Sequence, residues 1–173
     1  MGWDEKLRTT IADSQTVSNL KIVFRSAGPA DERFITHLRE QYPFIAGDYC
    51  RFLAITDGAG LWMYEFFGSG ASRMPAIRDL INRWRPISEK LQVFPFAEDP
   101  EGNCISMRIN GEIIQYGVEI ESDSHCIVLA NSFGDFLDHM LMGEGFYSLF
   151  EVPPTEIENN EWLDYLKQKG WLQ

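Results

Sequence analysis

The sequence predicts an α+β fold, a single domain in which a mostly antiparallel β-sheet is flanked by several helices. Three observations carry that expectation. Apolar residues recur at helical spacing between Pro29 and Trp84, short β-branched and aromatic runs separated by turn signals fill Leu91 to Ala130, and a helix-start signature follows at Ser132. A chain of 173 residues, 45% of them hydrophobic, is long enough for one core and too apolar for intrinsic disorder.

Residues 1–26 allow two readings: a weak helix on Leu7, Ile11 and Leu20, or a short strand at Ile22-Val23-Phe24. From Pro29-Ala30-Asp31-Glu32 a helix begins, with Phe34, Ile35 and Leu38 on one face, and Pro43 ends it. A second helix starts at Gly47-Asp48, where Asp48 can accept first-turn N–H groups; Tyr49, Phe52, Leu53 and Ile55 or Thr56 share its face, and Asp57-Gly58 stops it. Leu61 to Phe67, dense in aromatics and bounded by glycines, reads as one strand. Ile77, Leu80, Ile81 and Trp84 then form a stripe at i, i+3, i+4 and i+7 after Pro75, and Pro86 closes that helix.

The second half reads as a meander. Leu91–Phe96 and Asn103–Ile109 are strands, Asn110-Gly111 is a two-residue hairpin signal with φ > 0 expected at both positions, and Glu112–Val118 returns. His125–Ala130 follows after the acidic connection 119–123. Ser132-Phe133-Gly134-Asp135 matches a capping-box-like start to a helix with Phe133, Phe136, Leu137, Met140 and Leu141 on one stripe, ending at Gly143. A terminal helix runs from Asn160 to Lys169, before Gly170.

Charge is unevenly distributed. The formal net charge is −11, and the first 86 residues are near neutral. Between Leu91 and Leu166, Arg108 is the only basic side chain among 15 acidic ones. An acidic balance of this kind argues against nucleic-acid and anionic-membrane partners, both of which select for Lys and Arg. Two readings of the excess remain, a solvating surface or a docking face for a basic partner. Three cysteines without C-x-x-C spacing, a start lacking a leader-like apolar core and the absence of a long apolar run lead us to expect a cytoplasmic protein.

The motifs of common chemistries do not assemble. His37, His125 and His139 lie on different expected elements without metal-ligand spacing, and His125 and Cys126, as strand neighbours, would point to opposite faces. Neither a nucleophile elbow nor a phosphate-binding glycine loop is present. Asp99-Pro100-Glu101-Gly102-Asn103 gathers oxygens, but position 12 counted from Asp99 is Asn110 instead of the Glu a calcium loop requires, so a β-turn explains it better. No catalytic residue, metal or cofactor is therefore expected. Strand alternation would put Trp62, Tyr64 and Phe66 on one side, as core or as the lining of a groove.

Three segments taken in order resemble the SUKH superfamily, the domain of fungal regulators of cell-wall glucan synthesis and of many bacterial immunity proteins. The first runs from Tyr42-Pro43 through Asp48-Tyr49 and Phe52-Leu53 to Asp57-Gly58, the second is Phe94 to Asn103 with Gly102 in its turn, and the third is Ala130-Asn131-Ser132-Phe133-Gly134-Asp135-Phe136-Leu137. Asp57 stands where the family usually has Asn, and the spacer before Asp48 is longer than common. The resemblance covers residues 30–142, leaving 1–29 as an N-terminal extension and 143–173 as a C-terminal one with a terminal helix, packed on the same domain.

It implies a domain without catalytic apparatus, in which Pro43, Asp48, Tyr49, Phe52, Leu53, Gly58, Gly102, Asn131, Ser132, Phe133, Phe136 and Leu137 serve the fold. In the bacterial branch it implies an immunity protein that neutralises a toxin encoded nearby, often a basic nuclease, by direct binding and occlusion. A regulatory or scaffold role is the alternative from the fungal branch. The acidic turns Glu98, Asp99, Glu101 and Glu119, Glu121, Asp123 are then the expected contact residues for a protein partner.

Overall fold

Helices from both ends of the chain join the aromatic core on one face of the sheet, through Trp3 against Phe133 and Trp162 against Phe24. In the computed structural model, which describes residues 1–45, 47–120, 122–150, 153–157 and 160–172, Trp3–Asp13 forms helix α1 with Trp3 and Leu7 buried. The short helix α2 (Leu20–Val23) runs directly into strand β1 (Phe24–Ser26), so the strand begins at Phe24 instead of Ile22. Helix α3 (Glu32–Gln41) is capped by Asp31, whose carboxylate accepts the Arg33 N–H at 2.7 Å. After a 3-10 turn at Pro43–Ile45, helix α4 (Asp48–Ile55) buries Tyr49, Phe52, Leu53 and Ile55, the face that the spacing predicts. Asp48 lies inside the first turn and pairs with Arg51 one turn on, instead of capping the helix.

The expected strand Leu61–Phe67 is a hairpin. Strand β2 (Ala59–Leu61) and strand β3 (Tyr64–Phe66) pair antiparallel with Leu61 opposite Tyr64, leaving Trp62-Met63 as a two-residue loop. No glycine or asparagine announces this turn. Trp62 takes φ 54°, a costly value for a bulky residue, and its ring meets Phe150 and Phe146 edge-on at 5.0 and 5.8 Å. Packing from a distant segment thus overrides the local signal.

Helix α5 (Ile77–Leu91) contains Pro86, five residues before its end, and stops at Gln92 in the left-handed region. Pro86 is exposed, so water can satisfy the carbonyl that its missing N–H leaves unpaired, while buried Ser88 beyond it continues the inner face. Strands β4 (Val93–Glu98), β5 (Cys104–Arg108), β6 (Ile113–Tyr116) and β7 (Ile127–Ala130) complete the meander. The β5–β6 loop holds three residues, Ile109, Asn110 and Gly111, because the Arg108 N–H donates to the Glu112 carbonyl at 2.9 Å. Only Gly111 of the Asn-Gly pair has positive φ.

Ser132 caps helix α6 (Phe133–Asp135), accepting the Asp135 N–H at 3.0 Å, and the helix widens to π geometry over Phe136–Leu141. The Asp135 carboxylate accepts from Asn131 N at 3.3 Å, one residue earlier than a reciprocal capping box would have it. A 3-10 segment (Glu144–Leu149), the short helix α7 (Pro154–Ile157) and helix α8 (Glu161–Gln168) end the chain, α8 being capped by the Asn160 side chain on Leu163 N at 2.7 Å.

The described strands form one antiparallel sheet in chain order, β1 to β7. On one face an aromatic core joins sheet to helices: Phe66 meets Phe52 and Phe133, Tyr49 meets Phe94 and Phe96, and Phe24 stacks on Trp162 of α8. On the other, α5 lies over β4, with Trp84 edge-on to Tyr116 of β6 at 5.5 Å. The terminal segments close against each other. Lys6 Nζ donates to the carbonyls of Asp138 and Met142, and the Tyr165 hydroxyl donates to Asp13 at 2.8 Å.

Candidate partner-binding surface

An antiparallel meander sends every second connection to the same end of its sheet. The β2–β3, β4–β5 and β6–β7 connections therefore leave from one rim, and they are the segments singled out from the sequence, around 62–66, 98–103 and 119–123, although the last turns back from the rim, with Asp123 pairing to Arg108 at the opposite end of β5. Their proximity is visible in detail: Gly117 runs so close to the 99–103 turn that a Cβ there would lie 2.9 Å from Asn103 Oδ1. The Tyr64 hydroxyl is pushed well above its ordinary pKa, mainly by burial and further by the nearby Asp99 and Glu101 carboxylates.

The six acids separate by what they touch. Asp99 is buried, with Oδ1 accepting the N–H groups of Glu101 (2.9 Å) and Asn103 (2.8 Å) and Oδ2 accepting Asn103 Nδ2 (2.9 Å) and Gln115 Nε2 (2.6 Å). It builds the turn. Glu98 is held between Arg83 Nη1 (2.5 Å) and Trp84 Nε1 (3.1 Å), which fastens α5 to β4. The expectation that Glu98 and Asp99 contact a partner is corrected here, because binding through them would first break the bonds that position the turn and helix. Glu101 and Glu119 are exposed. Asp123 is exposed and pairs with Arg108 at 2.7 Å, while Glu112 holds the other side of that guanidinium at 2.8 Å. Glu121 lies outside the described residues.

The groove reading of the aromatics is also corrected. Because the Trp62-Met63 turn resets the alternation, Leu61, Tyr64 and Phe66 all face the core, and both ring residues among them are buried. Half-buried Trp62 packs under Phe146 and Phe150.

The motif residues sit in the core or at its turns. Tyr49, Phe52, Leu53, Phe133, Phe136 and Leu137 are buried, the Tyr49 hydroxyl donates to the Phe67 carbonyl at 3.3 Å, and Pro43 opens the 3-10 turn. Gly58 has φ +86° with the Phe66 carbonyl 2.7 Å from where a Cβ would stand, so no side chain fits there. Gly102 closes the Asp99 turn at φ +82°, and Asn131 is exposed beside the Ser132 cap. Asp57, read only as a turn residue, is a buried hub: its carboxylate accepts both the N–H and the hydroxyl of Ser69 at 2.6 Å, and its own N–H donates to Gly28. Only a contact across 12 residues reveals that role.

Burial pushes the Cys104 thiol up to about 12 and raises those of Cys50 and Cys126, so all three are held protonated near neutral pH. Among the described residues no three His, Cys, Asp or Glu side chains converge as metal ligands, and no helix is long and apolar enough to cross a membrane.

Sequence reasoning missed the apolar residues beside the acids. Met63 (59% exposed) lies on the rim with Val118 (76%), and Ile127 (56%) and Val128 (52%) stand on the adjoining edge strand β7. It also missed a groove between α3 and α5, about 640 Å³, lined by Phe34, His37, Tyr42, Arg78, Ile81 and Arg85. A smaller hollow toward Ile109, about 360 Å³, shares Tyr42, Ile81 and Arg85 with it. No protein-family model matches the chain, and no curated protein matches it significantly.

Proposed function

We propose that the protein is a non-catalytic inhibitor of the immunity type, within or near the SUKH superfamily, that neutralises a basic toxin domain by direct binding and occlusion. The observation that carries this reading is the rim. Exposed Glu101, Glu119 and Val118 lie there, from a half of the chain where Arg108 is the only Lys or Arg between Leu91 and Leu166, and exposed Met63 joins them from the β2–β3 turn. Exposed apolar anchors surrounded by charge of one sign suit a protein interface, with desolvation supplying affinity and long-range attraction raising the on-rate about 10 to 1,000-fold at low salt.

The test is to mix the purified chain with the product of the gene beside its own and follow association in stopped flow. Tight binding is expected, and reversal of Glu101, Glu119 and Asp123 to Lys should slow association by about tenfold or more and flatten its salt dependence. Absence of binding to any neighbouring product defeats the reading. An unchanged rate removes only its electrostatic part.

A scaffold role is the second reading, and the α3–α5 groove favours it. That groove lies in the near-neutral half, away from the acidic rim, and would give a tethering protein a second, chemically different contact. A gene neighbourhood without a toxin gene would move the assignment to this reading.

A further inference from the structure

Strand β7 is the last of the sheet, so its inner edge bonds β6 and its outer edge faces away from the ladder. Among the described residues no backbone group outside β6 bonds to Ile127–Ala130. An edge strand presents outward N–H and C=O groups as a template for one more strand, and natural sheets blunt such edges with charge, proline or bulges. The segment Cys126–Ala130 holds neither charge nor proline. Its one irregularity is an extra residue at Leu129, since Ile113 and Ile114 pair with Ala130 and Val128, which leaves the Ile127–Val128 portion regular. There the two side chains, both β-branched and about half exposed, stand on opposite faces of the edge as a docked strand would need.

Charge decides what occupies this edge. Asp123 precedes β7 by one 3-10 turn, with its carbonyl accepting the Cys126 N–H at 3.1 Å, and Asp135 follows it with its carboxylate on Asn131 N at 3.3 Å. Carboxylates therefore bracket the strand. No Lys or Arg occurs from Ile109 to Leu166, and the nearby Arg108 is already shared between Glu112 and Asp123. A second copy pairing antiparallel through β7 would bring the acids that precede the strand in one copy toward those that follow it in the other, which disfavours it.

We propose that β7 is a strand-addition site for an extended segment of the partner protein that carries Lys or Arg at its ends and apolar side chains between. This rests on the inhibitor reading for its partner. Main-chain bonds supply the docking, Ile127 and Val128 supply apolar contact, and Asp135 together with the net −1 charge of the Arg108–Glu112–Asp123 cluster selects a basic segment.

The test uses the full chain, nitrogen-15 labelled, titrated with a capped hexapeptide of four valines with a lysine at each end and with its counterpart that has a glutamate at each end. The lysine peptide should shift amide signals and slow exchange by at least about tenfold within Ile127–Ala130, the glutamate peptide should do neither, and high salt should weaken the effect. Ile127→Lys, at an exposed position, should lower affinity for the lysine peptide about tenfold with unchanged circular dichroism. Signals that move elsewhere, no protection at saturating peptide, equal response to the glutamate peptide, or concentration-dependent protection of β7 without peptide each overturn the proposal. The two levels separate cleanly. A neighbouring gene product that binds Ile127→Lys as tightly as the parent overturns strand addition and leaves the inhibitor reading standing, whereas β7 protection by the lysine peptide with no binding to any neighbouring product overturns the inhibitor reading alone.

Discussion

The two edges of the sheet are treated in opposite ways. At β1 the edge is closed: Phe24 is buried and stacks on Trp162, α2 contacts α8, and Arg73 donates to the Ser26 carbonyl at 3.2 Å. The flanking charges there are Lys21, Arg25 and Arg73, around a hollow of about 580 Å³. At β7 the edge carries half-exposed Ile127 and Val128 between carboxylates. A strand tied down by its buried ring and by the Arg73 bond to its carbonyl is held without acids, while an exposed edge is guarded by charge. The acids at β7 thus do two things by one mechanism, repelling a second copy of the chain and attracting a basic segment.

The largest expected effect breaks the closed edge. Trp162 is fully buried, and its indole N–H donates to the Leu141 carbonyl at 2.9 Å, so Trp162→Ala should cost about 3–5 kcal/mol in urea unfolding. Ile127→Thr at the open edge should stay within about 0.5 kcal/mol. Comparable costs at the two positions would mean that β7 is covered after all.

An intermediate effect divides the rim acids. Asp99→Ala should destabilise by about 2–4 kcal/mol, because it strips the acceptors of four hydrogen bonds at a buried turn, and Glu101→Ala, two residues on, should change stability by less than about 0.5 kcal/mol. Equal costs would return Asp99 to the contact surface.

The smallest effect is a pH dependence of the strands between the edges. Cys104 is held protonated up to about 12 by burial, against 9.0 for a free thiol, and burial likewise raises Tyr64 and Tyr116. Between these values the unfolded chain has released protons that the folded chain keeps. Stability is therefore fully present below about pH 9 and declines as pH rises toward 12. The urea midpoint should be flat from pH 7 to about 8.5 and fall above it, with a later onset in Cys104→Ala; a flat profile to pH 11 would contradict the burial of these groups.

Legibility in the sequence followed the range of the interaction. Helices α3, α4 and α8 appear where apolar spacing, the Pro29–Glu32 start and Asn160 put them, because those signals act within one or two turns. The Trp62-Met63 turn and the passage of α5 through Pro86 did not, since the first depends on Phe146 and Phe150 far along the chain and the second on which side of the helix meets water. For the candidate site, the acidic connections were legible as a group and their separate roles were not. Asp99 and Glu101 differ only in that the turn wraps around one carboxylate and leaves the other in solvent.

By itself, then, the sequence determined the α+β class, the meander, the aromatic inner face of α4 and the concentration of acid in the second half, all consequences of composition and local periodicity. Tertiary structure alone decided that three separate connections leave from one rim, that Glu98 and Asp99 are internal bonds and that β7 is left open while β1 is closed. Those outcomes depend on which strand lies at the edge and which distant helix reaches it, and neither is encoded within the few residues over which sequence patterns act.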